Sequence, residues 1–126
     1  MKAVLSLSVL VLATTAATAA FADAPVKVVE TAKGKVLADE KGMTLYTFKN
    51  DKKDVSNCNN DCAKNWPPFM VGDNAKPSGA YSVVTRKDGK KQWAKDGMPL
   101  YLWIKDTKAG DVSGDGMKGV WNAARP

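Results

Sequence analysis

The chain has 126 residues, with 19 Lys and Arg against 13 Asp and Glu, two Cys and no His. That length suits one domain, and 44% hydrophobic with 25% charged residues argues against wholesale disorder. Without His there is no Ser-His-Asp or Cys-His machinery and no His-ligated zinc, copper or haem.

Residues 1–22 read as a secretory signal peptide. Lys2 supplies the positive start, Val4 to Ala20 the apolar stretch, and Ala20-Phe21-Ala22 the small residues before a cut that leaves Asp23 first. A cut after Ala24 fits the same rule but places Pro25 directly after the scissile bond. No Cys stands near the cut to carry a lipid, and no second apolar segment is long enough to anchor the chain across a membrane. Removing Lys2 from the 19 basic residues leaves 18 against 13 acids, so residues 23–126 carry +5. A basic protein sent to the periplasm or the medium meets anionic envelope polymers and other envelope proteins, which are its expected partners. Dispersed lysines such as Lys27, Lys33, Lys35, Lys41 and Lys49, together with export, argue against nucleic acid.

Val26 to Glu30 reads as the first strand, and Val36-Leu37-Ala38 as the first arm of a hairpin. Its turn is Asp39 to Gly42. Its second arm follows, with Leu45, Thr47 and Lys49 alternating with Tyr46 and Phe48. A short helix is expected over Asn60 to Trp66, stopped by Pro67-Pro68. Asp73 to Gly79 is a loop between two units. Tyr81 to Arg86 is a strand, Lys87 to Lys90 a turn, and Lys91-Gln92-Trp93-Ala94 the first arm of another hairpin. After Asp96-Gly97, Leu100, Leu102 and Ile104 alternate with Tyr101 and Trp103.

The two hairpins are copies of one pattern. Gly42-Met43-Thr44-Leu45-Tyr46-Thr47-Phe48-Lys49-Asn50-Asp51 and Gly97-Met98-Pro99-Leu100-Tyr101-Leu102-Trp103-Ile104-Lys105-Asp106 both read G-M-x-L-Y-x-aromatic-x-x-D, 55 residues apart. Both continue to Asp-Val-Ser, at Asp54 to Ser56 and Asp111 to Ser113, and reach a Trp 20 positions beyond the Tyr, at Trp66 and Trp121. The expected fold is therefore mainly β, a small antiparallel barrel or sandwich of two degenerate repeats, roughly 34–71 and 88–126, within one domain of residues 23–126. Neither half, at about 50 residues, should be stable alone.

The doubled Tyr-x-aromatic-x-x-Asp element resembles the signature of a secreted-repeat family, the predicted lipoproteins with a Yx(FWY)xxD motif. Cys58-Asn59-Asn60-Asp61-Cys62-Ala63-Lys64-Asn65-Trp66-Pro67-Pro68 is similar to that family's C-x-x-x-C-A-x-x-W-P-P segment. The resemblance covers Gly34 to Pro126 and implies export without implying an activity. The missing lipidation Cys departs from the lipoprotein label and favours a soluble form.

Four sets of residues could carry chemistry. Cys58 and Cys62, four apart in an oxidising compartment, are expected to form a structural disulfide, with a redox-active dithiol as the sharper alternative. Tyr46, Phe48, Trp66, Trp93, Tyr101, Trp103 and Trp121 suit a core, or else a stacking platform for sugars or lipid. Each motif Tyr is expected to find its own motif Asp, Tyr46 with Asp51 and Tyr101 with Asp106. Those two acids could also be a hydrolytic carboxylate pair. Asp111, Ser113 and Asp115 resemble the start of a calcium loop, although Asn122 stands where the bidentate Glu belongs. Met43 and Met98, with Met70 and Met117 elsewhere, could hold Cu(I) or absorb oxidants. The leading expectation is a binding module that needs no cofactor and performs no catalysis. The alternative is a redox or metal-handling accessory, for copper or calcium.

Overall fold

The computed structural model describes residues 24–73 and 75–126, so the signal-peptide reading lies outside the described residues. In chain order the elements are β1 (Lys27–Thr31), β2 (Gly34–Ala38), β3 (Tyr46–Phe48), α1 (Asp61–Asn65), β4 (Tyr81–Thr85), β5 (Lys91–Lys95), β6 (Met98–Pro99), a 3-10 turn at Met117–Gly119, and β7 (Trp121–Ala123). They form three small antiparallel sheets, β1-β2, β3-β7 and β4-β5-β6. The sheets do not close into a barrel; a sandwich of small sheets fits. The described residues are mainly β with one short helix, as expected, and α1 takes Asn60 and Trp66 as its caps.

Alternation along the strands sorts side chains between two cores. Val36, Tyr46, Phe48, Tyr101 and Trp121 enter one cluster, with Cys58 and Trp66. Leu37, Leu45, Leu100, Phe69 and Trp93 enter the other, with Ala24 and Ala124. Sequence neighbours such as Val36 and Leu37, or Leu45 and Tyr46, thus go to opposite faces, as a period of two requires.

The pairing of the motif strands differs from the expected hairpins. β2 pairs along its length with β1, from Lys27 opposite Ala38 to Thr31 opposite Gly34. It meets the first motif through an Ala38–Thr44 bridge and a hydrogen bond from Leu45 N to Leu37 O (2.9 Å). β3 instead takes its ladder partner from the other repeat, with Tyr46 opposite Ala123 and Phe48 opposite Trp121 in β7. In the second repeat, β5 keeps a short form of the expected hairpin with β6, Ala94 opposite Pro99 and Lys95 opposite Met98.

The regular strand expected over 100–104 does not form. The segment running along it is Trp66-Pro67-Pro68, the first repeat's counterpart of β7, and proline has no N–H to give a ladder. What remains is a Pro68–Tyr101 bridge and three bonds, Leu102 N to Pro67 O (2.7 Å), Phe69 N to Leu100 O (2.9 Å) and Ile104 N to Asn65 O (3.0 Å). In both directions, then, the closing segment of one repeat completes the other.

The crossover is fixed at its centre and at its rim. Tyr46 N donates to Tyr101 O at 2.8 Å and Tyr101 N donates to Tyr46 O at 2.9 Å, a reciprocal pair that sets an approximate local twofold between the repeats. At the rim stand the motif glycines, Gly42 with φ +84° and Gly97 with φ +82°. A Cβ on Gly42 would lie 2.8 Å from Ala109 Cβ, and one on Gly97 would lie 2.5 Å from Lys53 Cγ. Each motif glycine therefore lets the opposite repeat's loop approach, and the left-handed backbone suits glycine as well.

Because each half lacks the segment that completes it, a fragment ending near residue 73 and one beginning near residue 79 should each lack cooperative unfolding and near-ultraviolet dichroism. Mixed or co-expressed, they should recover both signals. A cooperatively folded single half would contradict the exchange.

Candidate functional site

The two motif tyrosines are fully buried, and a phenol hydroxyl removed from water needs a hydrogen-bond partner. The structure supplies it across the repeats, not within the motif. Tyr46 Oη donates to Asp106 Oδ2 at 2.5 Å, and Tyr101 Oη donates to Asp51 Oδ2 at 2.7 Å. The expected Tyr46–Asp51 and Tyr101–Asp106 contacts are thus replaced by their exchange. Five residues past the Tyr, each Asp has left the strand and turned back toward the twofold, where the other repeat's Tyr stands.

The second oxygen of each carboxylate holds its own loop. Asp51 Oδ1 accepts Asn57 N at 2.7 Å. Asp106 Oδ1 accepts Ser113 N at 3.0 Å and Ser113 Oγ at 2.6 Å. The two Asp-Val-Ser segments are therefore the loops that these acids tie down. Both acids are buried with both oxygens engaged, which is the arrangement of a structural clamp.

The surroundings of the two clamps differ. Around Tyr46 the neighbour is Gly114, whose N–H donates to Tyr46 Oη at 3.2 Å. A Cβ on Gly114 would lie 2.7 Å from the Trp66 ring, so the close approach demands glycine. Around Tyr101 there is a polar network. Ser56 Oγ meets Tyr101 Oη at 2.6 Å and accepts from Arg86 Nη1 at 2.9 Å. Arg86, itself buried, also donates to Gln92 Oε1 (2.6 Å), Cys58 O (2.6 Å) and Asn59 Oδ1 (3.3 Å). Gln92 Nε2 closes the network on Leu100 O at 2.7 Å. Val36 is the first repeat's counterpart of Gln92. Arg86 and Gln92 are the residues sequence reading missed; an arginine at a strand end beside a lysine-rich turn gave no sign of being interior.

Burial shifts the titrations. It pushes the Tyr46 hydroxyl far above the usual phenol range, and the Asp106 hydrogen bond adds to the effect. Tyr101 is likewise pushed far up, by burial first, with Ser56 opposing and Asp51 reinforcing. Burial raises Asp51 above the ordinary carboxylate range, against the pull of Asn57 N–H, Tyr101 Oη and the Arg86 charge.

The aromatic residues form one stack through the first core. Phe48 lies on Trp121 (4.2 Å between centroids), Trp121 on Trp66 (3.8 Å), and Trp66 on Trp103 (4.0 Å), with interplanar angles of 13°, 3° and 25°. Tyr46 meets Trp66 edge-on, and Tyr101 meets Trp121 edge-on. Each motif aromatic therefore stacks on the Trp of the other repeat. Tyr46, Phe48, Trp66, Trp93, Tyr101 and Trp121 are buried, so the broad stacking platform is replaced by a core; Trp103, at the end of the stack, is half-buried.

Cys58 and Cys62 form a disulfide, with Cα atoms 5.2 Å apart, and Cys58 is fully buried in the same core. The bridge ties the loop whose Cys58 carbonyl receives Arg86 to α1 and the Trp66-Pro67-Pro68 corner.

The calcium-loop residues are not brought together. Asp111 Oδ2 accepts Thr107 N (2.9 Å) and Lys108 N (3.1 Å), and these backbone donors, Thr107 first, hold its carboxyl below the usual range. Ser113 serves Asp106, and Asp115 Oδ1 accepts Ala123 N at 2.9 Å while its other oxygen pairs with Arg125 at 3.4 Å. Among the described residues no three His, Cys, Asp or Glu side chains gather as metal ligands. Met43 and Met98 are half-buried at equivalent strand entries, and Met70 is exposed.

Comparison with known proteins gives one match. The model of a family described as a secreted repeat of unknown function fits the chain twice, at residues 27–70 and 82–125. Those segments begin earlier than the repeat units read from the motifs, because they take in β1 and β4. No curated protein and no solved structure matches the chain. Among the described residues no helix is long and apolar enough to cross a membrane.

Double-mutant cycles distinguish exchange from the within-motif contact. Tyr46→Phe with Asp106→Asn, and Tyr101→Phe with Asp51→Asn, should each show coupling of about 1–3 kcal/mol. The pairs Tyr46 with Asp51 and Tyr101 with Asp106 should be additive within about 0.5 kcal/mol. Coupling confined to the within-motif pairs would refute the clamps.

A pH prediction follows from the same groups. A raised phenol pKa in the fold gives stability that is full below the unfolded value of about 10 and is lost as pH rises above it. Unfolding free energy should therefore fall above pH ~10 by about 1.4 kcal/mol per pH unit for each clamped Tyr. Tyr81, also raised by burial, adds with the same sign, so the slope should drop by about 1.4 kcal/mol per pH unit in Tyr46→Phe and in Tyr101→Phe without vanishing. Asp51 acts with the same sign at low pH, its share being full below the unfolded carboxylate pKa and lost as pH rises through the raised value. Chemical denaturation from pH 3 to about 11.5 reads both limbs.

Proposed function

This chain belongs to the secreted-repeat family, whose function is unknown, and from that premise we propose that it is an exported, non-catalytic binding module for an anionic envelope polymer. The observation that carries the reading is the division of its chemistry. The motif acids, phenols and most of the rings face inward and hold one another, whereas every described lysine except the half-buried Lys95 is exposed. Reactive groups are thereby placed where no polymer reaches them, and positive charge where a polymer does.

One cluster on that surface is the turn joining β4 to β5. Lys87, Lys90 and Lys91 are exposed there and make no ion pair among the described residues. Asp88 stands between them, but its Oδ1 is turned to the Lys90 backbone N–H at 2.9 Å. Underneath, buried Arg86 adds its charge from within the fold. An anionic chain lying on this turn would meet several cations without displacing existing partners, which favours association through summed weak contacts.

The test is binding of purified protein to lipopolysaccharide and to a soluble polyphosphate polymer. Affinity should fall as salt rises from about 50 to about 500 mM, where the Debye length shrinks well below 10 Å. The triple variant Lys87→Glu, Lys90→Glu, Lys91→Glu should bind at least about tenfold more weakly, a change of ~1.4 kcal/mol, with an unchanged melting temperature. Salt-independent binding, or equal binding by the triple variant, would count against this surface.

A further inference from the structure

The aromatic stack has unequal ends. At one end Phe48 is 9% exposed and closed over. At the other, Trp103 has one face on Trp66 and lines a cleft of about 250 Å³ with Met43, Pro67, Leu102 and Ile104. Asp39 and Lys41 also line it. The difference is written into the repeats. Where the first motif has Thr47 and Lys49 beside its aromatic, the second has Leu102 and Ile104, and Ile104 is 56% exposed. An apolar branch more than half exposed beside a half-open indole adds little burial to the fold. It makes sense as one wall of a contact surface.

The polar side chains lining this cleft are Asp39, Lys41, Thr44 and Asp106. Both Asp106 oxygens are engaged by Tyr46 and Ser113, and Thr44 Oγ1 donates to Asp111 O, which leaves Asp39 and Lys41. Asp39 Oδ1 accepts the N–H groups of Lys41 and Met43, both at 2.9 Å. Its Oδ2 has no hydrogen-bond partner among the described residues, and the exposed Lys41 ammonium has no ion pair among them. With two carboxylates against one ammonium the cleft does not select an anion, and Asp39 and Lys41 are the groups open to a ligand. They offer an acceptor and a donor to hydroxyl groups, while the indole offers a flat apolar face to ring C–H groups. The volume lies just below the ~300–1,000 Å³ typical of drug-sized pockets, so it suits a single ring.

We propose that this cleft binds one hexopyranose unit of a neutral glycan segment, its C–H face stacked on Trp103 against Ile104 and its hydroxyls held by Asp39 and Lys41. The inference deepens the binding-module reading and rests on it, adding a sugar-reading contact distinct from the basic turn. One such site gives weak affinity by itself; it gains when the lysine surface holds a heteropolymer that carries both sugar rings and anionic groups.

The test follows the four tryptophan indole N–H resonances of the intact, disulfide-bonded chain. It is titrated with neutral β-linked oligomers, cello-oligosaccharides and fully N-acetylated chito-oligosaccharides, so that the basic turn adds no charge attraction. The expected result is a saturable shift of Trp103 and of the Lys41 and Ile104 amides, unaffected by salt. Ile104→Asp, a surface change that leaves the stack intact, should weaken it at least about tenfold, and Lys41→Ala should weaken it less. Trp103→Ala should abolish it, with melting temperature measured alongside because that change also uncovers Trp66. Shifts elsewhere on the surface, or shifts at Trp103 produced by an aromatic peptide and not by sugars, overturn the proposal. If the oligomers leave Trp103 unmoved while the anionic polymer still binds, the sugar site falls and the module stands. If neither binds, the module reading itself has failed.

Discussion

A buried phenol must hand its proton to an acceptor, and in this chain each motif Tyr finds one only in the other repeat. That constraint organises the rest of the structure. The reciprocal backbone bonds between Tyr46 and Tyr101 bring the two strands together, and the exchanged carboxylates then draw in the loops on which Ser56 and Ser113 sit. Once the loops are placed, Trp66 and Trp121 lie parallel at 3.8 Å between them. Removing one hydroxyl leaves a buried carboxylate oxygen without its donor in the opposite repeat, so damage in one half is felt in both.

Exchange also gives a physical reason for the two halves to fold together, with only one small disulfide loop between Cys58 and Cys62. Small halves bury too little apolar surface to offset chain entropy alone. Crossing β7 to β3, and Trp66-Pro67-Pro68 to Tyr101, makes the largest rings common property of both repeats. The two clamps nonetheless differ, since Val36 fills apolar space in one half where Gln92 and Arg86 build a hydrogen-bonded network in the other. The Cys58–Cys62 bridge belongs to the polar half, where it fixes the carbonyl that receives Arg86. This is one reason for a disulfide in the first repeat and not in the second.

Much of this was legible from the sequence, and the losses have physical causes. The repeat, the strand alternation, the helix near Asn60 and the disulfide all rest on local spacing, which a sequence displays directly. Pairing partners rest on contacts some 50 to 80 residues apart, and a motif read alone suggests that its Tyr and Asp serve each other. The clue to exchange was the duplication itself, because equivalent groups can swap partners about a twofold at no cost in geometry. The lost strand after Leu100 was signalled by Pro67 and Pro68, but only once their place beside Tyr101 was known. Arg86 was hidden for a different reason: its burial depends on Ser56 and Cys58 O from one loop and Gln92 from β5 converging on it.

The positions that the two repeats share are interior, and this bears on where activity can lie. The shared Gly, Leu, Tyr, aromatic and Asp hold the exchange, while Met43 and Met98 sit half-buried at its edge. Positions that differ mostly face solvent: Lys49 against Ile104, Asn50 against Lys105, and the two-residue turn after β1 against the lysine-rich turn after β4. Thr44 and Pro99, like Val36 and Gln92, are exceptions, buried in both copies. A motif that encodes a scaffold leaves function to the residues it does not specify. In this chain the unspecified residues place cations at one site and an apolar wall beside Trp103 at another. The duplication therefore supplies a frame with two inequivalent faces, and the proposed recognition rests on their difference.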